Sequence, residues 1–318
     1  MRAFRSTILF IALCYCLGIT VTNLESFSRA LMIGDSIDRF AVVDWCIQQD
    51  GIICEPNREP DFLRNEDNFP TDDYIVKNKR LCNSFLFGTN KTFTEVFSSL
   101  KFVYTRVCYD LRNKVVLGFL FNHLGVRTKR HCLAHHNSDL IKSSDEHMEH
   151  STFIGLTILP AVLKLKVVMG GGFHGVSIHS GFWDVSREHE CMRKGYFEIK
   201  SEDKLKWILG WMHDAGKLIA AIKSSVICTN VTWIGWRTAN DIIPCYKNQG
   251  WNTVDARNIL KSMNLGIPMV ADALGIELIN YDKFEPLDIR KMRDSIHPYN
   301  FTSVRLASTV INRTLGGK

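Results

Sequence analysis

Short apolar runs alternate along this chain with longer segments of helical periodicity, and this alternation restricts its fold more than any other feature. The apolar runs cover residues 30–33, 115–121, 176–178, 226–228 and 276–279. The segments with apolar residues every three or four positions cover about 38–48, 146–166, 203–223, 254–274 and 303–312. Strands that alternate with helices predict βαβ units and a parallel sheet with helices on both faces. We therefore expect an α/β fold, a three-layer αβα sandwich with a parallel sheet of about five strands.

The first 22 residues have the composition of a secretory signal peptide. Arg2 and Arg5 precede an uncharged run from Ser6 to Leu24, whose centre at residues 8–13 is apolar. A basic start followed by an apolar stretch is typical of a signal, and we expect cleavage near residue 22. The uncharged run is also close to the length that spans a bilayer, so a retained anchor in a type II membrane protein is the alternative. Residues 23–318 are then expected in the secretory lumen or outside the cell.

In an oxidising compartment, the cysteines are expected to form disulfides. Eight of the ten lie beyond the signal: Cys46, Cys54, Cys82, Cys108, Cys132, Cys191, Cys228 and Cys245. An even number in an oxidising lumen predicts up to four disulfides, whose pairing the sequence leaves open. Residues 51–113 are polar and rich in proline and cysteine, so we interpret them as a disulfide-tied insertion. Sequons at Asn90, Asn230, Asn300 and Asn312 fit a glycoprotein.

Charge and metal-ligand patterns exclude some functions. The formal charge of +6 becomes +4 once Arg2 and Arg5 leave with the signal, and the chain has no block of five like charges, so we expect no nucleic-acid partner. Five histidines lie within twenty residues: His131, His135, His136, His147 and His150. Their spacing is not that of a zinc site, and we interpret them as a solvated loop and helix start. No metal or other cofactor is expected.

Two short motifs carry candidate chemistry. Ser36 follows the first apolar run in Gly34-Asp35-Ser36, where a strand is expected to turn into a helix whose N–H groups can stabilise an anion. Asp294 precedes His297 by three residues, close enough to orient the imidazole as a general base. This pattern predicts a nucleophile, base and acid triad. The alternatives are that Ser36 is a helix N-cap and that Asp294 and His297 form a solvated pair.

These motifs resemble the first and last blocks of the SGNH/GDSL hydrolase superfamily. Residues 33–39, with Trp45-Cys46, resemble more specifically its PC-esterase branch, which includes the trichome-birefringence-like glycan O-acetyltransferases. Residues 179–184 and 236–238 are similar to two shorter segments of that branch. The resemblance implies a flavodoxin-like fold and ester chemistry on acyl groups that sugars often carry.

The resemblance also implies an oxyanion hole with three donors: the backbone N–H of the serine, a glycine after the second strand and an asparagine after the third. Gly125 matches the glycine, and His179 stands where the asparagine is expected. We expect His179 to substitute as a donor, with a buried core histidine as the alternative.

Trp183, Trp236 and Arg237 are expected at strand ends, where they are candidates for substrate binding. The tryptophans could stack on a sugar ring and the arginine could bind an anionic group. Buried tryptophans and an ordinary ion pair are the alternatives.

Together these patterns predict a secreted or lumenal serine esterase or O-acyltransferase that forms an acyl-Ser36 intermediate. The expected substrates are small-molecule or glycan acyl esters, acetyl esters first. Because the third-block asparagine is missing, a catalytically silent glycan-binding or interaction protein of the same fold stays open. Hydrolysis and transfer use the same acyl-enzyme, so the sequence does not separate them.

Overall fold

Seven strands form a single sheet in the computed structural model, which describes residues 24–54, 105–122, 158–181, 201–224, 231–240, 254–284 and 300–316 together with Cys82, Glu95, Asp184 and Val185. The strands are β1 (Ser28–Gly34), β2 (Ile52–Cys54), β3 (Thr105–Asp110), β4 (Val115–Phe121), β5 (Gly175–Ile178), β6 (Trp233–Arg237) and β7 (Glu277–Ile279). Their order across the sheet is β2-β3-β4-β1-β5-β6-β7.

Five of these strands form a parallel sheet. β1 pairs in parallel with β4 on one side and β5 on the other, and β6 and β7 continue the parallel arrangement. This is the flavodoxin-like strand order, and it confirms the predicted α/β fold. β3 and β2 extend one edge as antiparallel strands. They come from the two ends of residues 51–113, where we predicted only an irregular insertion.

Helices cover both faces of the sheet. α1 (Ser36–Gln48) and α5 (Asn300–Thr314) pack on one face, and α2 (Leu159–Val168), α3 (Ser201–Ser224) and α4 (Val254–Leu274) pack on the other. Each face has its own apolar core, as expected for strands buried on both sides. Within the described ranges, no helix combines the length and apolar character needed to cross a membrane. The predicted signal segment lies outside the described residues.

The fourth parallel strand lies later in the chain than predicted. β6 is Trp233–Arg237, whereas the apolar run at 226–228 lies outside the described residues. A Cβ on Gly235 would come within 2.3 Å of the Trp233 ring, so the bare backbone at this position makes room for that indole. Trp236 and Arg237 are therefore the last two residues of β6, and both are buried.

Two disulfides connect the antiparallel edge to its surroundings. Cys46 in α1 is bonded to Cys108 in β3, and Cys54 at the end of β2 is bonded to Cys82. Disulfides of this kind are typical of proteins from oxidising compartments. The other four cysteines beyond the signal lie outside the described residues.

Removal of the Cys46–Cys108 bridge is expected to destabilise the fold. The bridge joins residues 62 apart in sequence, and opening a loop of this size typically costs about 2–4 kcal/mol because the unfolded chain gains entropy. Urea unfolding of the Cys46→Ala/Cys108→Ala double variant, compared with the wild type, measures the loss. Equal free energies of unfolding would contradict this prediction.

His174, at the amino-terminal edge of the sheet, makes the fold sensitive to mild acid. The Arg29 N–H donates to His174 Nδ1 at 3.1 Å, and the Arg29 guanidinium lies 3.5 Å from Nε2. Partial burial and the nearby guanidinium lower the pKa of His174. The unfolded chain therefore binds this proton more readily than the folded protein does. Stability is full above the ordinary histidine pKa of about 6.5 and falls as the pH decreases through it.

We expect a smaller free energy of unfolding at about pH 5 than at about pH 7.5. The drop should be smaller in His174→Asn, which keeps an acceptor near the Arg29 N–H but does not titrate. Urea unfolding of both proteins at both pH values tests this. An equal drop in the two proteins would rule out His174 as its source.

Candidate active site

Polar side chains from four strands meet at the carboxyl edge of the sheet. Asp35 and Ser36 follow β1, Asn122 follows β4, His179 follows β5, and Arg237 is the last residue of β6. β1 lies between β4 and β5, so this edge is the topological switch point, where ligands bind in open α/β sheets. All five residues are buried, and Ser36 is 7% exposed.

Asp35 builds the turn that presents Ser36. Its side chain accepts a hydrogen bond from the Ile37 N–H at 2.9 Å, and the Asp38 carboxylate accepts one from the Asp35 N–H at 3.1 Å. The two carboxylates form a reciprocal capping box at the start of α1. Asp35 is the N-cap and Ser36 is the first helical residue, so the alternative interpretation of Ser36 as the cap is wrong.

Gly34 is required by the position of Asp38. A Cβ on Gly34 would lie 1.9 Å from Asp38 Oδ2. The Asp38 carboxylate accepts hydrogen bonds from Arg237 and from the Asp35 N–H, so moving it aside would break both. The Gly-Asp-Ser motif and the aspartate two residues beyond it are therefore one structural unit.

Arg237 joins the two carboxylates. Its Nε and one terminal nitrogen donate to Asp38 at 2.9 and 2.8 Å, and the same terminal nitrogen donates to Asp35 Oδ1 at 2.9 Å. The guanidinium is fully buried and lies 5.2 Å from the centre of the Tyr281 ring. Its planar donors match a carboxylate in a bidentate arrangement that an ammonium group cannot reproduce.

The contacts of His179 differ from those we predicted. Its Nδ1 lies 2.9 Å from the Arg237 carbonyl oxygen, and its Nε2 lies 2.9 Å from Asp35 Oδ2 without forming a hydrogen bond within the described residues. The His179 backbone N–H donates to the Ile33 carbonyl. Both ring nitrogens therefore face oxygens of neighbouring elements. These contacts favour the buried-histidine alternative, and the role of His179 as an oxyanion donor stays a prediction.

The buried charges keep Asp35 ionised. Burial alone raises the pKa of its carboxyl group, but the Arg237 guanidinium and His179 outweigh it. Together with the Ile37 N–H, they hold that pKa well below its usual range. Burial lowers the pKa of Arg237, and the two carboxylates more than reverse this effect. Asp35 therefore acts as a permanent negative charge, not as a proton donor.

Trp236 and Arg237, which we predicted to bind substrate, are buried and have partners inside the protein. The Trp236 side chain is 1% exposed and packs edge-on against Trp211, with ring centres 5.8 Å apart. Arg237 is occupied by Asp35 and Asp38. Both side chains lie inside the sheet because β6 includes them. Trp183, Gly125, Asp294 and His297 lie outside the described residues, so their predicted roles stay predictions.

The sequence analysis did not identify Asp38 or Asn122 as residues of the candidate site. Asp38 follows Asp35 by three positions, which is the spacing of a capping box. Asn122 comes directly after an apolar run that was predicted as a strand. In the described ranges, no group of three His, Cys, Asp or Glu side chains is arranged to bind a metal. The histidine cluster at 131–150 lies outside those ranges.

The structure of this chain is similar to several solved structures of other proteins. No protein-family model and no curated sequence matches the chain. Est24, a carbohydrate acetylesterase from Sinorhizobium meliloti, is 11% identical with a TM-score of 0.44, over 91% of this chain and 99% of that one. Axe2, an acetylxylan esterase from Geobacillus stearothermophilus, is 12% identical with a TM-score of 0.43, over 93% and 98%. LAE5, an alpha/beta hydrolase from the metagenome of Lake Arreo, Spain, is 13% identical with a TM-score of 0.40, over 91% and 95%. Identities this low do not establish a shared function, so any function has to be argued from the site residues of this chain.

Proposed function

We propose that this protein is a serine esterase that forms an acyl-enzyme on Ser36 and acts on acetyl esters of carbohydrates. The observation that carries the proposal is the position of Ser36. It begins α1 at the switch point of the sheet, on a turn that the buried Asp35, Asp38 and Arg237 side chains hold rigidly. Nucleophiles need this fixed placement, because small displacements of reacting atoms cost large factors in rate.

The proposed chemistry proceeds through two transfers of the acyl group. Ser36 Oγ attacks the ester carbonyl while His297 takes its proton, with Asp294 orienting the imidazole. The Ile37 N–H already donates to Asp35, so we assign the Ser36 backbone N–H at the start of α1 as the oxyanion donor there. The alcohol leaves with a proton from His297, and water then releases the acid from Ser36. The roles of Asp294 and His297 are assigned from the sequence motif.

The substrate class follows from the sequence resemblance. Residues 33–39 resemble a branch that includes glycan O-acetyltransferases, so we assign acetyl groups on sugars as the first substrates to test. An acceptor sugar that reaches the acyl-enzyme before water would make the protein a transferase. The two disulfides support a site of action in the secretory pathway or outside the cell.

A second candidate function is a catalytically silent carbohydrate-binding protein. It is favoured by one observation: His179, which stands where the superfamily has an oxyanion asparagine, has its two ring nitrogens 2.9 Å from the Arg237 carbonyl oxygen and from Asp35 Oδ2. Loss of one oxyanion donor typically lowers kcat by about 10² to 10³.

Acetate release distinguishes these functions. Purified protein is incubated with acetylated xylo-oligosaccharides, and free acetate is followed by NMR with and without an unacetylated acceptor oligosaccharide. We expect acetate release in water, and acetylated acceptor if the protein is a transferase. A folded protein that binds these sugars but produces neither product would support the silent alternative and contradict the esterase.

A further inference from the structure

Asn122 is a buried polar side chain whose hydrogen bonding is incomplete. It is 3% exposed. Its Nδ2 reaches the His179 carbonyl oxygen only at 3.4 Å, and its Oδ1 has no hydrogen-bond partner within the part of the chain that the structure describes. Buried polar groups nearly always have partners, and here one of the two Nδ2 hydrogens has no acceptor among the described residues.

The position of Asn122 places it beside the Ser36 turn. Phe121 at the end of β4 pairs with Gly34 at the end of β1, and the Asn122 N–H donates to the Gly34 carbonyl at 2.6 Å. Asn122 thus stands next to Asp35 in the register of the two strands. Its side chain approaches the carbonyl of His179, which follows β5 on the other side of β1. The carboxamide therefore crosses the carboxyl end of β1, where Ser36 begins α1.

We propose that Asn122 is a catalytic residue that donates a hydrogen bond from its carboxamide to the oxyanion formed on Ser36. This inference rests on the proposed esterase function. A carboxamide nitrogen carries two N–H donors, and here they make a single long contact within the described residues. The His179 ring nitrogens face the Arg237 carbonyl oxygen and Asp35 Oδ2 instead. Asn122 reaches the edge from β4, on the side of β1 opposite to the missing asparagine.

The step that Asn122 assists is the addition to the ester carbonyl. Ser36 Oγ forms a bond to the carbonyl carbon, its proton passes to His297, and the carbonyl π electrons move onto the oxygen. That oxygen becomes an oxyanion, and Asn122 Nδ2 donates to it. When the electrons return, the bond to the alcohol breaks and the alcohol takes the proton from His297. The donor acts on charge that exists only after addition, so it affects kcat more than KM.

Asn122→Ala should lower kcat for an acetyl ester by about 10² or more and leave KM within about threefold. The melting temperature should stay within a few degrees of the wild type, since only one long hydrogen bond is lost. Asn122→Asp keeps the shape but has no N–H donor, and it should lose kcat by a similar or larger factor. Steady-state kinetics and the rate of Ser36 labelling by a fluorophosphonate are measured for each variant.

Asn264→Ala is the matched control. The Asn264 carboxamide makes two hydrogen bonds with the Ala239 backbone, at 2.8 and 2.7 Å. Its removal should lower stability and leave kcat within about threefold of the wild type. Asn122→Ala with unchanged kcat would overturn this inference and leave the proposed function intact. An activity loss explained by unfolding, with the remaining folded molecules labelled at the wild-type rate, would also overturn it. A folded wild-type protein without turnover or labelling would overturn both.

Discussion

Replacement of Ser36 by alanine should remove acetyl-ester turnover while the fold persists. The substitution deletes the hydroxyl that the proposed function assigns to the acyl-enzyme, and loss of a serine nucleophile lowers kcat by at least about 10³-fold. Asp35, not Ser36, caps α1, so the helix start is retained. We expect a change in the free energy of unfolding of no more than about 1 kcal/mol.

Initial rates on acetylated xylo-oligosaccharides and urea unfolding, measured on the same preparations, test this expectation. Ser262→Ala is the control, since the Ser262 hydroxyl only donates to the Asn258 carbonyl within α4. It should retain wild-type turnover. Ser36→Ala with more than about a tenth of the wild-type kcat would show that another group performs the chemistry.

Replacement of Arg237 by methionine should cause the largest loss of stability. The variant leaves the Asp35 and Asp38 carboxylates buried without the guanidinium that pairs with both. Removal of one partner from a buried ionic network typically costs about 3–5 kcal/mol. The Ser36 turn should lose its fixed geometry as well, so we expect kcat per folded molecule to fall.

Two other arginine variants, both expected to lose less stability than Arg237→Met, are compared with it by urea unfolding. Arg237→Lys keeps a positive charge but cannot reproduce the bidentate contacts, so it should be destabilised by an intermediate amount. Arg313→Met removes an exposed contact with Glu277 at 3.6 Å and should change stability by less than about 1 kcal/mol. An Arg237→Met protein as stable as the Arg313→Met protein would show that the buried network does not stabilise the fold.

The parallel part of the fold could be predicted because its strands are buried on both faces. β4 is a continuous apolar run, β1 and β5 are mainly apolar, and all their residues except Ser28 are buried. β3 has no such signal, because Thr105, Arg106 and Asp110 interrupt it. All three are nonetheless buried, and the Thr105 hydroxyl donates to the Phe119 carbonyl. The Thr105 bond crosses to β4, and Asp110 accepts from Asn113 in the turn after β3. Burial of these polar residues has no apolar signal in the sequence, so the sequence alone did not reveal this edge of the sheet.

In the candidate site, too, the sequence predicted residues that neighbours in the chain position, and it did not predict contacts between distant residues. Ser36 could be located from the sequence because a glycine, a capping aspartate and a helix start lie next to one another in the chain. The role of Arg237 could not, because its contact with Asp38 joins residues 199 positions apart. The contacts of the His179 ring could not be predicted for the same reason, since they come from β6 and from the turn after β1. Contacts across strands depend on the register of β1, β5 and β6, which no short motif encodes.

Covalent labelling tests the central claim most directly. Wild-type protein and Ser36→Ala are incubated with a fluorophosphonate, and the intact masses and labelled peptides are determined by mass spectrometry. The proposed function predicts one adduct on Ser36 in the wild type and none in Ser36→Ala. A folded wild-type protein that stays unlabelled, or an adduct that persists in Ser36→Ala, would contradict the assignment of Ser36 as the nucleophile.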